Sequence, residues 1–295
     1  MNKFILRGLN KLNLLGKFNL TGKIILNGRG FKIPVFGRTG FLNMWMTEPW
    51  MIDLLKIVLP ISKGIFIDVG VNSGQTLLKL KSVSNDVEYI GFEPNPTCIH
   101  YVNELIKLNQ FENVILIPAG ISTKSQIGKL FFFDTSEMDS SASIIKDFRP
   151  GQKIEKTEFI PVFDMPTVKQ SLDNGKIGVI KIDVEGGELD VLSTMKADIV
   201  LNQPIILIEI LPAYKEDNHI RIQRQNDIQQ LFKECNYTVF RVIKKNEHLI
   251  KIEEIIEIGI HSDLNSCEYV VVPGLLKEEF LKRSLQTLSS SEVAI

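Results

Sequence analysis

A chain of 295 residues, 44% hydrophobic and with a net charge of −1, has the size of one large α/β domain with embellishments and can bury a sizeable core. It contains no run of about 18 apolar residues, so no membrane-spanning helix is expected. Cys98, Cys235 and Cys267 are odd in number and widely spaced, and His100, His219, His248 and His261 lack metal-ligand spacing. This excludes a disulfide framework and a zinc site, and the cysteine usage fits a reducing, cytoplasmic setting.

From the N-terminus, residues 3–15 space Phe4, Leu6, Leu9 and Leu12 as a short amphipathic helix. Lys and Asn break this stretch too often for a signal peptide. Lys23–Leu26 and Phe31–Phe36, split by Asn27-Gly28-Arg29-Gly30, predict a β-hairpin. Eight Lys and Arg residues (3, 7, 11, 17, 23, 29, 32 and 38) precede the first acidic residue, Glu48. They read either as solvated faces of the helix and hairpin or as an arm for an anionic partner. Thr47-Glu48-Pro49 predicts a helix start, with Thr47 as N-cap.

Strands and helices then alternate. Strands are predicted at 64–69, 87–92, 114–118, 179–184, 205–210, 237–242 and 268–272. Helices are predicted at about 74–81, 96–109, from 188, and at 223–235. This order predicts a parallel sheet covered by helices on both faces, a Rossmann-like α/β fold. Residues 119–176 interrupt it, reading as an inserted hairpin (129–133 with 157–163) around a Ser-rich loop at 139–143. A helix and a polar tail follow Pro273.

Two segments echo each other, Ile65 to Gly74 and Val179 to Glu188. Each is an apolar run ending in Asp, then a glycine turn, then a helix. In open α/β sheets the carboxyl ends of strands bind ligands. Gly70 and Gly74 are spaced G-x-x-x-G. Asn72 and Gln75 stand where a dinucleotide-binding loop has its second and third glycines, and the Lys-Ser/Thr of a phosphate loop is missing. Glu93, in Gly91-Phe-Glu-Pro-Asn95, ends the next strand and can accept two hydrogen bonds from a ribose diol. A nucleoside-binding loop without a phosphate cradle points to S-adenosylmethionine. Its ammonium and sulfonium favour nearby carboxylates such as Asp68 and Asp183.

These residues resemble the FkbM family of S-adenosylmethionine-dependent methyltransferases. The resemblance is carried by Ile67-Asp-Val-Gly-Val-Asn-Ser-Gly74, Gly91-Phe-Glu-Pro94, Asn113-Val114 with Ala119-Gly120, Lys181-Ile-Asp-Val-Glu-Gly-Gly-Glu188 and Ile208-Glu209. It spans about residues 47–242. It implies a seven-stranded sheet, six strands parallel and the last antiparallel. The chain then divides into a basic N-terminal extension (1–46), a methyltransferase domain (47–275) and a C-terminal helix and tail (276–295). Asp68, Gly70, Asn72 and Gly74 would line the methionine end of the cofactor. Glu93 would hold the ribose, and residues near Asn95 and Ala119 would border the adenine. Asp183, Glu185 and Glu209 would face the transferred methyl or the acceptor. Val71 stands where the family usually has Ala, and Phe163-Asp164 stands where it usually has Leu-Asp.

The family implies O-methylation of a sugar, glycan or polyketide hydroxyl. Candidate general bases are Glu185, Asp183, Glu209 and His219, with Glu185 first because it lies just beyond the fourth strand. An NAD-dependent sugar oxidoreductase is the competing enzyme reading, opposed by the missing glycines and by the lack of a Tyr-x-x-x-Lys pair. A non-catalytic cofactor-binding subunit is the third. A nucleic-acid substrate is opposed by the acidic body and the lack of an aromatic-basic stacking platform. The basic arm would suit a lipid- or phosphate-linked glycan at the inner face of a membrane. Anionic liposomes should then retain the protein at low salt and release it at high salt in a sedimentation assay; passage at low salt would remove the membrane contact.

Overall fold

The computed structural model describes residues 7, 8, 11, 19–36, 39–45, 48–146, 148–149, 151–172 and 175–292. Most of the helix expected over 3–15 and much of the basic arm lie outside these residues, as does Thr47.

The chain opens with the expected hairpin, β1 (Asn19–Leu26) and β2 (Arg29–Phe36). Its two-residue turn places Asn27 at φ 47° and Gly28 at φ 76°. Positive φ at both central positions matches the right-handed twist of the strands, and Asn-Gly tolerates it best. Inward residues Ile24, Leu26, Phe31, Ile33 and Val35 pack with Ile52, Leu78 and Leu105 of the main body. The hairpin is therefore part of the domain's core rather than a separate extension.

Helix α1 (Pro49–Val58) buries an almost continuous apolar surface. Its N-cap is Glu48, at φ 38° and without a side-chain cap bond. Then follow β3 (Ile65–Val69), α2 (Gln75–Val83), β4 (Tyr89–Phe92), α3 (Pro96–Asn109) and β5 (Val114–Ile117). Asn95 caps α3, its Oδ1 accepting from the Thr97 amide at 2.9 Å.

The insertion is a small sheet of its own: β6 (Gly120–Ile121), β7 (Gln126–Phe132) and β8 (Lys156–Phe163), in the order β6-β8-β7. A short helix, α4 (Met165–Lys169), comes next, capped by Asp164, which accepts from the Thr167 amide at 2.8 Å. Thus Asp164 has a structural task, and the Met165-Pro166 after it is simply a helix start.

The main sheet resumes with β9 (Ile177–Ile182), α5 (Glu188–Thr194), α6 (Lys196–Asn202), β10 (Ile205–Glu209), α7 (His219–Glu234), β11 (Tyr237–Lys245), β12 (His248–Ile255), β13 (Glu268–Pro273) and α8 (Lys277–Glu292). Its order is β12-β11-β13-β10-β9-β3-β4-β5. The pairings make β5, β4, β3, β9, β10 and β11 run in one direction, with β13 antiparallel between β10 and β11. That is the expected set of seven. An eighth strand, β12, was not expected. It joins β11 through a turn at Asn246 and Glu247, both at positive φ, where Glu is a weak turn signal.

Strands β3, β4 and β9 are buried along their whole length. One face packs on α5, α6 and α7 through Ile67, Ile180, Ile206, Val191, Ile199 and Ile228. The other packs on α1, α2 and α8 through Phe66, Val179, Leu207, Leu54, Leu77 and Phe280. The chain enters the sheet at β3, moves outward to β5, then returns to β9 on the other side. The carboxyl ends of β3 and β9 therefore flank the topological switch point, where such sheets bind ligands. Among the described residues no helix is long and apolar enough to cross a membrane.

Ile33 is wholly buried where the hairpin meets the helices. Ile33→Ala should lower global stability by about 2–5 kcal/mol in urea unfolding; a hairpin independent of the domain would leave the main transition unmoved.

Candidate functional site

At the switch point lies a cavity of about 900 Å³. Its floor is made by the two echoing turns. Gly70, at φ 94°, lies so close to β9 that a Cβ there would sit 1.8 Å from the Asp183 carbonyl oxygen. Only glycine permits this approach. The Asp183 amide in turn donates to the Val69 carbonyl at 3.0 Å, and the Gly70 amide to the Phe92 carbonyl at 2.9 Å. The three strand ends are thereby tied together.

Glu93 faces this floor. Its Oε2 accepts from the Asn72 amide at 2.7 Å and its Oε1 from the Asn95 amide at 2.8 Å. Each oxygen keeps a lone pair for another donor. Burial pushes its pKa up to about 7, against the lowering effect of those two amides. A buried carboxylate held by two amides, with lone pairs to spare beside a glycine turn, fits a ribose diol, and Gly70, Asn72, Asn95 and Ala119 line the same cavity.

Two of the cofactor-contact expectations are corrected. Asp68 is fully buried beneath the floor and does not line the cavity. Its Oδ2 accepts from the Tyr89 hydroxyl at 2.6 Å, and its Oδ1 lies 3.7 Å from Lys181 Nζ. Its side chain shares the sheet face of Phe66, which points it at α1 and α2 rather than at the ligand. Gly74 likewise lies outside the lining; it is the left-handed N-cap of α2, packed against Val102 and Leu105. Val71 is buried against Gly91, where a Cβ would be only 2.6 Å away, and it also lines the cavity.

On the other side of the floor the lining is acidic: Asp183, Glu185, Glu209, Glu268 and Glu48, with Lys79 and Lys181 among them. Lys181 Nζ lies 3.0 Å from Asp183 Oδ2. Burial opposes the charge on Lys181, yet Asp183 and Asp68 outweigh it and raise its pKa. The Asp183 side chain, 37% exposed toward the cavity, is disfavoured as a charge by burial but held below the usual carboxylate range by Lys181 and by a hydrogen bond with Glu209. Glu209 is driven up by burial and by Asp183, so the shared proton resides on Glu209. Glu185, at φ 49°, is raised to about 7 by burial and by Asp183, with Arg149 at 2.7 Å opposing. Glu268, directly across the strand pair from Glu209, is also raised to about 7 by burial, with Lys244 opposing. Among the described residues no group of these acids is arranged to hold a metal ion.

The structure therefore brings together three of the four candidate bases. His219 is the exception. It is the exposed first residue of α7 and does not line the cavity, so it is corrected to a surface helix start. Other residues enter that sequence reasoning did not single out. Asn43, from the turn after the hairpin, donates to the Ser73 carbonyl at 2.8 Å and accepts from the Ser73 hydroxyl at 3.0 Å, pinning the glycine loop. Lys79 pairs with Glu48. Lys181 had one visible signal, a lone Lys inside an apolar buried strand. Asn43, Glu48 and Lys79 had none, because they meet only through tertiary packing.

A sheet of this order, with a crevice at its switch point floored by two glycine turns, is that of a methyltransferase domain using S-adenosylmethionine. The model of the methyltransferase FkbM domain matches residues 68–239, and the chain belongs to that family. A search of curated proteins found no match. Among solved structures, the chain is similar to the methyltransferase FkbM from Methylobacillus flagellatus KT, at 13% identity over 72% of this chain and 44% of that one, with a TM-score of 0.44. It thus spans less than half the length of that protein. It is similar also to a putative caffeoyl-CoA O-methyltransferase from Staphylococcus aureus (13%, 76% and 82%, 0.41) and to M. jannaschii TYW2 in complex with AdoMet (15%, 86% and 85%, 0.40).

A ribose diol held by Glu93 would need its ionised form, and burial raises the pKa of Glu93 to about 7. S-adenosylhomocysteine affinity should therefore weaken as pH falls through about 7. Glu93→Gln should bind at least about tenfold more weakly and lose that pH dependence in calorimetric titration; a pH-independent wild type would contradict the assignment.

Proposed function

We propose that the chain transfers a methyl group from S-adenosylmethionine to a hydroxyl of a sugar, glycan or related natural product, with Glu185 as general base. The observation that carries this reading is the place of Glu185, which lines the cavity on the turn just beyond β9 beside Asp183 and Glu209. Asp183 is kept ionised by Lys181 and is a poor base. Glu209 already holds a proton. Glu185 alone of the three sits near neutrality, lining the cavity just beyond β9, where a base works best at physiological pH.

S-adenosylmethionine supplies a methyl on a sulfonium, which leaves as a neutral thioether. The protein's part is alignment and proton removal. The Asn72 and Asn95 amides hold Glu93 for the ribose. Ionised Asp183 offers its charge to the cationic end of the cofactor. As the acceptor oxygen forms its bond to the methyl carbon, the hydroxyl proton passes to Glu185. Holding the reactants in line can supply several of the ~7–11 kcal/mol available from orientation. The need for a base favours a hydroxyl acceptor over an amine, whose lone pair attacks unaided once neutral.

Glu185→Gln should keep S-adenosylhomocysteine affinity within about twofold while slowing turnover by roughly 10²–10⁴. The measurement is labelled-methyl transfer to a panel of glycosides and amines. Unchanged turnover would dismiss Glu185 as the base, and labelling of amines alone would overturn O-methylation.

A further inference from the structure

One wall of the cavity comes from the insertion: Asp134, Met138, Asp139, Ala142 and Ile144 line it. The Asp139 carboxylate organises this wall, accepting from the amides of Phe133 at 2.7 Å, Asp134 at 3.0 Å and Ser141 at 2.8 Å. The segment then runs onto the turn that carries Glu185. The Ser143 hydroxyl donates to the Glu185 carbonyl at 2.6 Å. The Phe148 ring covers Gly186 so closely that a Cβ there would lie 2.4 Å from it. Arg221 grips Phe148 from the far side, its guanidinium 4.8 Å from the ring centroid and its Nη2 donating to the Phe148 carbonyl at 2.9 Å. Arg224 lies 5.7 Å from the same ring and 3.5 Å from Glu188.

These contacts touch the turn's backbone at Glu185 and Gly186. Arg149 adds something different, because its Nη2 donates at 2.7 Å to the side-chain carboxylate of Glu185 rather than to the turn's backbone. It is mostly buried, and its Nε is enclosed without a hydrogen-bond partner. A guanidinium with an orphaned donor is costly to bury, and the Glu185 carboxylate is the charged partner that offsets that cost. Its distinctive effect is to remove rotamer freedom from Glu185 and to face it with a positive charge amid Asp183, Glu188 and Glu209.

We propose that Arg149 is a positioning residue that ties the cavity wall at 134–144 to the carboxylate of Glu185, so that the seating of this wall and the aim of Glu185 depend on one charged pair. The inference rests on the reading of Glu185 as the base. It assigns the insertion a mechanical role in the reaction, with the wall and the base locked together by one charged pair.

The test is hydrogen–deuterium exchange of the full chain with and without S-adenosylhomocysteine, for wild type, Arg149→Ala, Glu185→Ala, the double variant and Arg149→Lys. Without ligand, each single alanine variant should speed exchange of peptides within 134–149 by about tenfold. The double variant should be no faster than the singles, and Arg149→Lys should restore part of the protection. Additive effects, or exchange equal to wild type in the single variants, would overturn the tie. Arg149→Lys is the control should the alanine variant fold poorly: protection no better than in Arg149→Ala would equally overturn it. Added S-adenosylhomocysteine should protect the wall in wild type. If wild type binds none of it, the cofactor reading fails, while the ligand-free exchange still decides the tie.

Discussion

The structure depends on one close approach, where the backbone at the end of β3 meets the backbone at the end of β9. With Gly70 pressed against the Asp183 carbonyl, any side chain at position 70 would force the strands apart. Their contact brings the two echoing turns into one floor, and the reversal of strand order at this place opens the crevice above it. Everything the site contains is referenced to that contact: Glu93 through the Asn72 amide, Asp183 through the Val69 carbonyl, and Glu185 two residues beyond Asp183.

On this floor the protein sets similar groups to different tasks. Lys181 stands between Asp68 below and Asp183 above, and the buried ammonium is stable only because both carboxylates face it. Asp183 thereby stays charged and drives the proton of the coupled pair onto Glu209. Glu185, two residues further and opposed by Arg149, is left between these extremes. The three acids differ in proton affinity because of their neighbours rather than their residue type.

Much of this architecture was legible in the chain itself. The apolar runs of Ile and Val set the parallel strands, and the interval between them set the crossover helices. The 96–109 helix was read to its ends, because Asn95 and Pro96 are unambiguous start signals. The β12 strand was missed because its turn uses Glu247 at positive φ, a residue that does not announce a hairpin. The expected seven strands are all present, and β12 extends the sheet at its edge. Asp68 and His219 were misplaced for another: a sequence says which strand end or loop a residue occupies, but not toward which face its side chain turns.

The sequence by itself determined the order of elements, the two glycine turns and the acid that ends β4, since each follows from local backbone preference and short-range pattern. Only the tertiary structure decided which carboxyls share a wall. Asn43 locking the glycine loop from the hairpin side, Glu268 lying opposite Glu209, and Arg149 reaching back to Glu185 join residues separated by tens of positions. Such contacts depend on how sheet, hairpin and insertion pack, and proton affinities follow from that packing through burial and charge, quantities that a linear pattern does not carry.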